Sequence, residues 1–274
     1  MDDVGELPPD LTRVLFNLGT RKLVLLEGAS DVAVFREWYR DRRDVIEFFS
    51  PEVPQGGSGV QKLLNRILAR STSPTPREYG IIDRDFRDAA EVEAALADPN
   101  AHLFILRRYC LENYLLEPAA VAEEVRVLAG SNADTPSPQD METALLQMCR
   151  SLHAMMAANW AFAEAGRGTH FPEGHAFVGR ETVVARVVKE LGCSQTEAEA
   201  ALVQKEELIE PLLLHLETAY QRINGKHLFF HIYRMFIGAG FTHDRFRQLL
   251  ARAIKERVGL HEDIKTIIEQ WVLA

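Results

Sequence analysis

The sequence predicts an α/β protein: a parallel four-stranded sheet flanked by helices, followed by an all-helical carboxy-terminal part. Three observations carry this reading. Short apolar runs alternate with amphipathic helical stretches as far as Leu106, the pattern of βα units with right-handed crossovers. The apolar runs are near-continuous rather than alternating, as buried parallel strands require. From Pro118 onward no convincing strand pattern appears and a 3.6-residue period dominates.

Taken in order, residues 8–20 suit a short helix with Pro8 and Pro9 at its start. Lys22 to Glu27 is an apolar run closed by Gly28 and reads as the first strand. Ser30 or Asp31 caps a helix reaching about Tyr39, with Val32, Val34, Phe35 and Trp38 on its apolar face. Val45 to Phe49 is the second strand. Residues 51–59 form a turn-rich connection, and Val60 to Ala69 form an amphipathic helix. A proline- and hydroxyl-rich loop spans 71–77. Tyr79 to Asp83 is the third strand, Ala89 to Leu96 a helix stopping before Pro99, and His102 to Leu106 the fourth strand. Helices are expected over 118–129, 140–165, 180–191, 195–222, 226–237, 243–257 and 261–272. The Gly130-Ser-Asn-Ala-Asp-Thr-Pro-Ser-Pro138 stretch is the clearest linker, so the expected division is residues 1–130 and 139–274.

Composition narrows the class. Among 274 residues, 47% are apolar and 26% charged, an ordinary globular balance that supports a core. No apolar run approaches the roughly 18 residues that span a bilayer, so no membrane association is expected. The acidic start, Met-Asp-Asp-Val-Gly-Glu, lacks the basic and apolar parts of a secretory signal. Cys110, Cys149 and Cys193 form neither a zinc spacing nor a disulfide framework, and a reducing cytoplasmic location is the expectation. A net charge of −9 runs against nucleic-acid binding. Yet Arg66, Arg70, Arg77, Arg84, Arg87, Arg107 and Arg108 cluster in one stretch, readable as a basic rim or as solvated helix faces.

The chemistry-bearing residues follow from strand geometry. Ligands of parallel sheets bind beyond the carboxyl ends of the strands. Glu27 ends the first strand, Asp83 and Asp85 end the third, Glu112 follows the fourth, and Asp31 lies four residues after Glu27. So many carboxylates at one edge repel unless a cation lies between them, and all-oxygen ligands suit Mg²⁺ or Mn²⁺. Each residue also has a plainer reading. Asp31 equally serves as a helix-start residue, Asp83 and Asp85 suit a turn, Glu112 and Asn113 suit a chain turn, and Lys226 suits a solvated position. The Gly56–Gly59 stretch lacks the Gly-Lys-Ser/Thr ending of a phosphate loop. His227 and His231 sit on one helix face without nearby acids.

These residues also carry a family resemblance. Leu26-Glu27-Gly28-Ala-Ser-Asp31 after an apolar strand resembles the first motif of TOPRIM domains, and Ile82-Asp83-Arg84-Asp85 resembles their Asp-x-Asp motif. The Gly56-Gly-Ser-Gly59 stretch before a helix fits the same layout. Arg108-Tyr-Cys-Leu-Glu112-Asn113-Tyr114 resembles the Glu-Asn-Tyr segment of the OLD (overcoming lysogenization defect) nucleases and their stand-alone relatives in bacterial defence. Gly225-Lys226 is similar to the distant Gly-Lys of those enzymes. The resemblance covers about residues 20–118 and one point near 226. It implies a Mg²⁺-dependent nuclease acting in anti-phage defence. Glu27, Asp31, Asp83, Asp85 and Glu112 would hold metal, and Glu27, Asp83, Asp85 and Lys226 would be catalytic. It also implies nucleic acid as substrate; the ABC-type ATPase domain of full-length OLD proteins has no counterpart in the sequence, which leaves open a separate ATPase regulator. Apolar helices such as Leu228–Ile237 suit either subunit pairing in a homo-oligomer or a buried core. The alternatives are a non-catalytic TOPRIM-like scaffold or partner-binding module, or another TOPRIM enzyme such as an RNA maturase.

Overall fold

The computed structural model describes residues 7–51, 56–71, 77–98, 101–129, 135–168, 170–172, 177–236 and 241–274. The fold is α/β, with a four-stranded all-parallel sheet flanked by helices and a helical carboxy-terminal part. The chain forms two compact units: residues 1–107 with 244–274, and residues 108–243. The break falls just after the fourth strand, and the 130–138 stretch lies within the span of the second unit.

In the first unit, helix α1 (Pro9–Phe16) precedes strand β1 (Lys22–Leu25). Then come α2 (Ala29–Trp38), β2 (Ile46–Phe49), α3 (Gly56–Arg70), β3 (Glu78–Ile82), α4 (Ala89–Ala97) and β4 (Leu103–Ile105). The strand order is β2-β1-β3-β4. β1 is therefore central and pairs on both sides, Lys22 with Ile46 and Leu25 with both Phe49 and Gly80. Its Leu23, Val24 and Leu25 have no solvent exposure, which explains their unbroken apolar character. α2 packs on β2, with Phe35 at 5.3 Å from both Trp38 and Phe48. α3 packs on β3 and α4 on β4. Chain order reverses across β1: the first connection steps outward to β2, whereas the later ones step to β3 and β4. With right-handed crossovers this makes the carboxyl ends of β1 and β3 the topological switch point of the sheet.

The second unit is helical: α5 (Leu111–Leu115), α6 (Pro118–Ala129), α7 (Pro138–Glu164), α8 (Arg180–Leu191), α9 (Gln195–Ile209), α10 (Leu216–Ala219) and α11 (Gly225–Phe236). α7 is the axis, packed by α6, α8 and α9. Ser137 caps it, accepting from the Asp140 N–H at 3.2 Å while Asp140 accepts from the Ser137 N–H at 3.0 Å. Its Met141, Leu145, Met148, Leu152 and Met156 form the buried stripe. The chain then returns to the first unit with α12 (His243–Ala253) and α13 (Glu262–Lys265).

Several expected boundaries move. The 195–222 stretch is not one helix: α9 stops at Ile209, a tight turn spans Glu210–Leu214, and α10 follows. Pro211 is the cause, because it lacks an N–H and clashes with the preceding turn. The 243–257 and 261–272 stretches each widen into π-helical turns, over Ile254–Val258 and Thr266–Val272. α3 starts at Gly56 rather than Val60, so Gly56–Gly59 is its first turn and not a connection. The rest of that connection (52–55), the core of the 71–77 loop (72–76) and residues 130–134 of the linker lie outside the described residues. The short α5 is a helix that periodicity did not reveal, since one turn carries no period.

Gly80 shows how closely the sheet is covered. A Cβ there would lie 3.0 Å from Leu103, 3.2 Å from Val60 and 3.3 Å from Leu64, which tie β3 to β4 and α3. We expect Gly80→Val to lower unfolding stability by about 1–3 kcal/mol, the usual cost of overpacking, read as a reduced urea midpoint.

Candidate functional site

The switch point holds the first cluster. Leu26 still pairs with β2, its N–H donating to the Phe49 carbonyl at 2.9 Å. Continuing the Leu25–Gly80 register brings Glu27 alongside the end of β3. There Glu27 Oε1 accepts the Asp83 N–H at 2.8 Å. Residues 56 apart in sequence are thus joined by one charge-assisted hydrogen bond. Glu27 is half-buried and Asp83 is 7% exposed.

Gly28 opens α2, and its N–H donates to Asp31 Oδ2 at 3.1 Å, while Ser30 Oγ donates to Asp31 Oδ1 at 3.3 Å. Asp31 therefore folds back on the helix start, where its charge meets the positive end of the helix dipole. The Asp83-Arg84-Asp85 turn is built differently. Arg84, 3% exposed, points inward and donates to the Arg107 carbonyl at 2.8 Å and the Arg87 carbonyl at 3.2 Å. Arg87 donates to the Asp83 carbonyl at 2.9 Å and pairs with Asp85 at 3.7 Å and Glu91 at 3.3 Å. Asp85 has φ +51°, the one positive φ outside glycine among the described residues. Aspartate tolerates that left-handed conformation better than most residues, at a cost that such strained turns often carry at functional sites.

The second unit brings together the other two motifs. Asn113 is fully buried in α5. Its Oδ1 accepts the Cys110 N–H at 3.1 Å and the Gly225 N–H at 3.2 Å, and its Nδ2 donates to the Ile223 carbonyl at 3.0 Å. The Glu112-Asn113-Tyr114 and Gly225-Lys226 segments are thus one assembly. Gly225 is required by this approach, since a Cβ would lie 2.6 Å from the Asn113 backbone nitrogen. Glu112 is 2% exposed, and Lys226 is half-buried in the first turn of α11. The Lys226 N–H donates to Asn224 Oδ1 at 2.8 Å.

Arg108 supports the same assembly. Only 3% exposed, it donates to the Asn113 carbonyl at 2.9 Å, to Glu117 at 2.8 Å and to Glu217 at 2.5 Å. It also lies 5.0 Å from the Tyr114 ring and 5.1 Å from the Tyr220 ring. Burial opposes its charge, but Glu117 and Glu217 outweigh that and hold its pKa above the ordinary guanidinium value.

Of the residues singled out in the sequence, Glu27 and Asp83 are in contact, Asp85 follows on the same turn, and Asp31 sits one helical turn from Glu27. All four belong to the first unit, and Glu112 and Lys226 to the second. Among the described residues, no three His, Cys, Asp or Glu side chains form a cluster able to hold an ion. Two of the seven clustered arginines, Arg84 and Arg108, are buried structural ties rather than a basic rim, and Arg107 pairs with Glu93 at 2.8 Å. Sequence reasoning passed over Asn113 as a structural hub; the signal available was a glycine at 225, whose need for a close neighbour becomes visible only once the partner is known. The cysteines are all free. No family model matches the chain, and no curated protein matches it.

Two substitutions test this construction. Gly225→Ala should destabilise by about 1–3 kcal/mol through the clash with Asn113, seen as a lower thermal midpoint. Asp85→Gly should do the opposite, raising stability by about 1 kcal/mol as the positive φ becomes unstrained; a lower midpoint would show that the Asp85 contacts outweigh the strain.

Proposed function

We propose that the protein is a divalent-metal-dependent nuclease that hydrolyses nucleic-acid phosphodiesters. The observation that carries this reading is the juxtaposition of Glu27 and Asp83 at the switch point of a parallel sheet, with Asp85 on the strained turn that follows. Switch points are where open α/β sheets bind ligands. The carboxylates of Glu27 and Asp83 are hard oxygen donors of the kind that fit Mg²⁺ or Mn²⁺, and an ion held between them would offset their like charge. The chemistry such an ion supplies is Lewis acidity toward the phosphodiester and a lowered pKa for an attacking water.

Within that reading the chain's own residues divide the work. Glu27 and Asp83 supply ligand oxygens, and the Asp83 N–H orients the Glu27 carboxylate. Asp85 is an additional oxygen donor on the same turn. Arg84, tied to the Arg107 carbonyl, holds the turn in place. Asp31, Glu112 and Lys226 enter through the motif resemblance, and each is open to test by its own substitution. A cytoplasmic role in bacterial anti-phage defence, an ABC-type ATPase regulator and a homo-oligomeric state belong to the same proposal. No helix among the described residues is long and apolar enough to cross a membrane.

One observation favours the scaffold reading instead: Glu27 and Asp31 already accept backbone N–H groups. Activity separates the two. Purified protein should cleave DNA or RNA with Mg²⁺ or Mn²⁺ and stop in chelator. Asp83→Ala, and Glu27→Gln, which keeps the acceptor for the Asp83 N–H, should abolish cleavage with thermal midpoints close to wild type. Full activity in either variant removes the nuclease assignment; no metal-dependent cleavage of any DNA or RNA by the wild type favours the scaffold.

A further inference from the structure

A second charged feature of the first unit lies away from the carboxylates. Arg21 immediately precedes β1, and Arg43 precedes β2. The Lys22–Ile46 pairing places these two strand starts side by side. Arg36 lies in the last turn of α2, which returns toward the same end of the sheet. Together with Tyr39, Glu47 and Phe48 these three arginines line a cavity of about 480 Å³. Strand β1 is four residues long, so at about 3.3 Å per residue it separates the cavity end of the sheet from the Glu27 end by roughly 13 Å.

The charges in this cavity do not balance. Glu47 is the carboxylate that faces it, and it pairs with both Arg21 and Arg36, the latter at 2.5 Å. Arg43 makes no ion pair among the described residues. Three guanidinium groups against one carboxylate leave two positive charges in excess. Two of the three guanidiniums are also pre-oriented. Arg21 donates to the Leu18 carbonyl at 3.3 Å and the Asn17 carbonyl at 3.1 Å, and Arg36 to the Phe48 carbonyl at 3.0 Å. Tyr39 lines a second cavity as well, of about 280 Å³, but there Lys255 pairs with Asp41 at 3.4 Å and Glu269 adds another acid. Arg42 and Lys255 are thus matched by two acids, and of these two cavities the arginine-lined one carries the cationic excess.

Arginine forks match the oxygens of phosphate, and ordered arginines lose little freedom on binding it. Tyr39 and Phe48 also line the cavity but are only 3% and 2% exposed, so the arginines are its accessible recognition groups. The volume falls in the roughly 300–1,000 Å³ range of small-molecule sites. We propose that this cavity binds a phosphate group of the kind a nucleotide carries, at a site separate from the Glu27–Asp83 cluster. A free mononucleotide and a strand of nucleic acid present the same chemistry, and the site is independent of the nuclease reading.

The test uses the full chain in chelator, so that no cleavage occurs, with binding followed by calorimetry. The probes are AMP, a 5′-phosphorylated oligonucleotide, and adenosine as the phosphate-free control. A phosphate-bearing probe should saturate the wild type and bind at least about tenfold more tightly than adenosine, the usual weight of charged hydrogen bonds. Arg43→Ala should weaken that probe about tenfold and Arg43→Glu further, with thermal midpoints near wild type because Arg43 is exposed and holds no ion pair among the described residues. Glu47→Gln should tighten it, since Arg21 and Arg36 lose their competing carboxylate; a residue of purely structural importance would not give a gain. Saturation by AMP without competition from the oligonucleotide assigns a free nucleotide, and the converse assigns a strand. The proposal is overturned if no phosphate-bearing probe saturates, if adenosine binds equally well, or if both Arg43 variants bind like wild type. None of these results bears on cleavage by the Glu27–Asp83 cluster.

Discussion

Strand β1 is the member of the first unit on which its other features depend. It is hydrogen-bonded in parallel on both sides, to β2 and β3, and its Leu23, Val24 and Leu25 are fully buried. A parallel neighbour requires a crossover connection, so α2 and α3 follow from this pairing. Because the connections that leave β1 and β3 step in opposite directions, to β2 and to β4, a crevice opens between their carboxyl ends. Glu27 and Asp83 meet there as a consequence of register. A shift of β3 by one residue would exchange the faces of its side chains and carry the Asp83 N–H away from the Glu27 carboxylate.

The second unit is organised by polar rather than apolar groups at its most confined point. Asn113 satisfies three backbone groups around Cys110, Ile223 and Gly225. Arg108 links the same segment to Glu117 and Glu217. Buried amides and guanidiniums are costly unless paired, and here nearly every donor named has an acceptor within ordinary distance. Such a network fixes geometry more tightly than apolar contact alone, because each bond has a direction. It accounts for why a Glu-Asn-Tyr segment and a Gly-Lys pair, separated by more than a hundred positions, read as two motifs in sequence and as one assembly in space.

Electrostatics distinguishes the two ends of the sheet. Acidic side chains collect beyond the carboxyl ends of β1 and β3, whereas Arg21, Arg36 and Arg43 gather at the amino ends of β1 and β2. The overall charge of −9 hides this separation. Net charge therefore says little about what either end of such a sheet will bind; local excess decides, since exposed charges beyond about 10 Å are largely screened at ordinary ionic strength.

The α/β class, the four strands and most helices were legible in the sequence, because period and apolar run length are local properties that burial imposes directly. Glu27, Asp83 and Asp85 were legible as strand-end acids for the same reason. The exceptions were also local in origin: Pro211 split an expected helix, and a one-turn helix at Leu111–Leu115 was too short to show a period. What the tertiary structure alone decided was partnership. The order β2-β1-β3-β4 selected Asp83 as the partner of Glu27, the turn of α2 bent Asp31 back onto Gly28, and the packing of α5 against α11 turned Gly225 into a steric requirement. Arg84 and Arg108 looked like surface charge until their buried acceptors were placed. Sequence determines which groups are available at which strand end; register, crossover direction and close packing act over distances that no local pattern records, and they decide which of those groups meet.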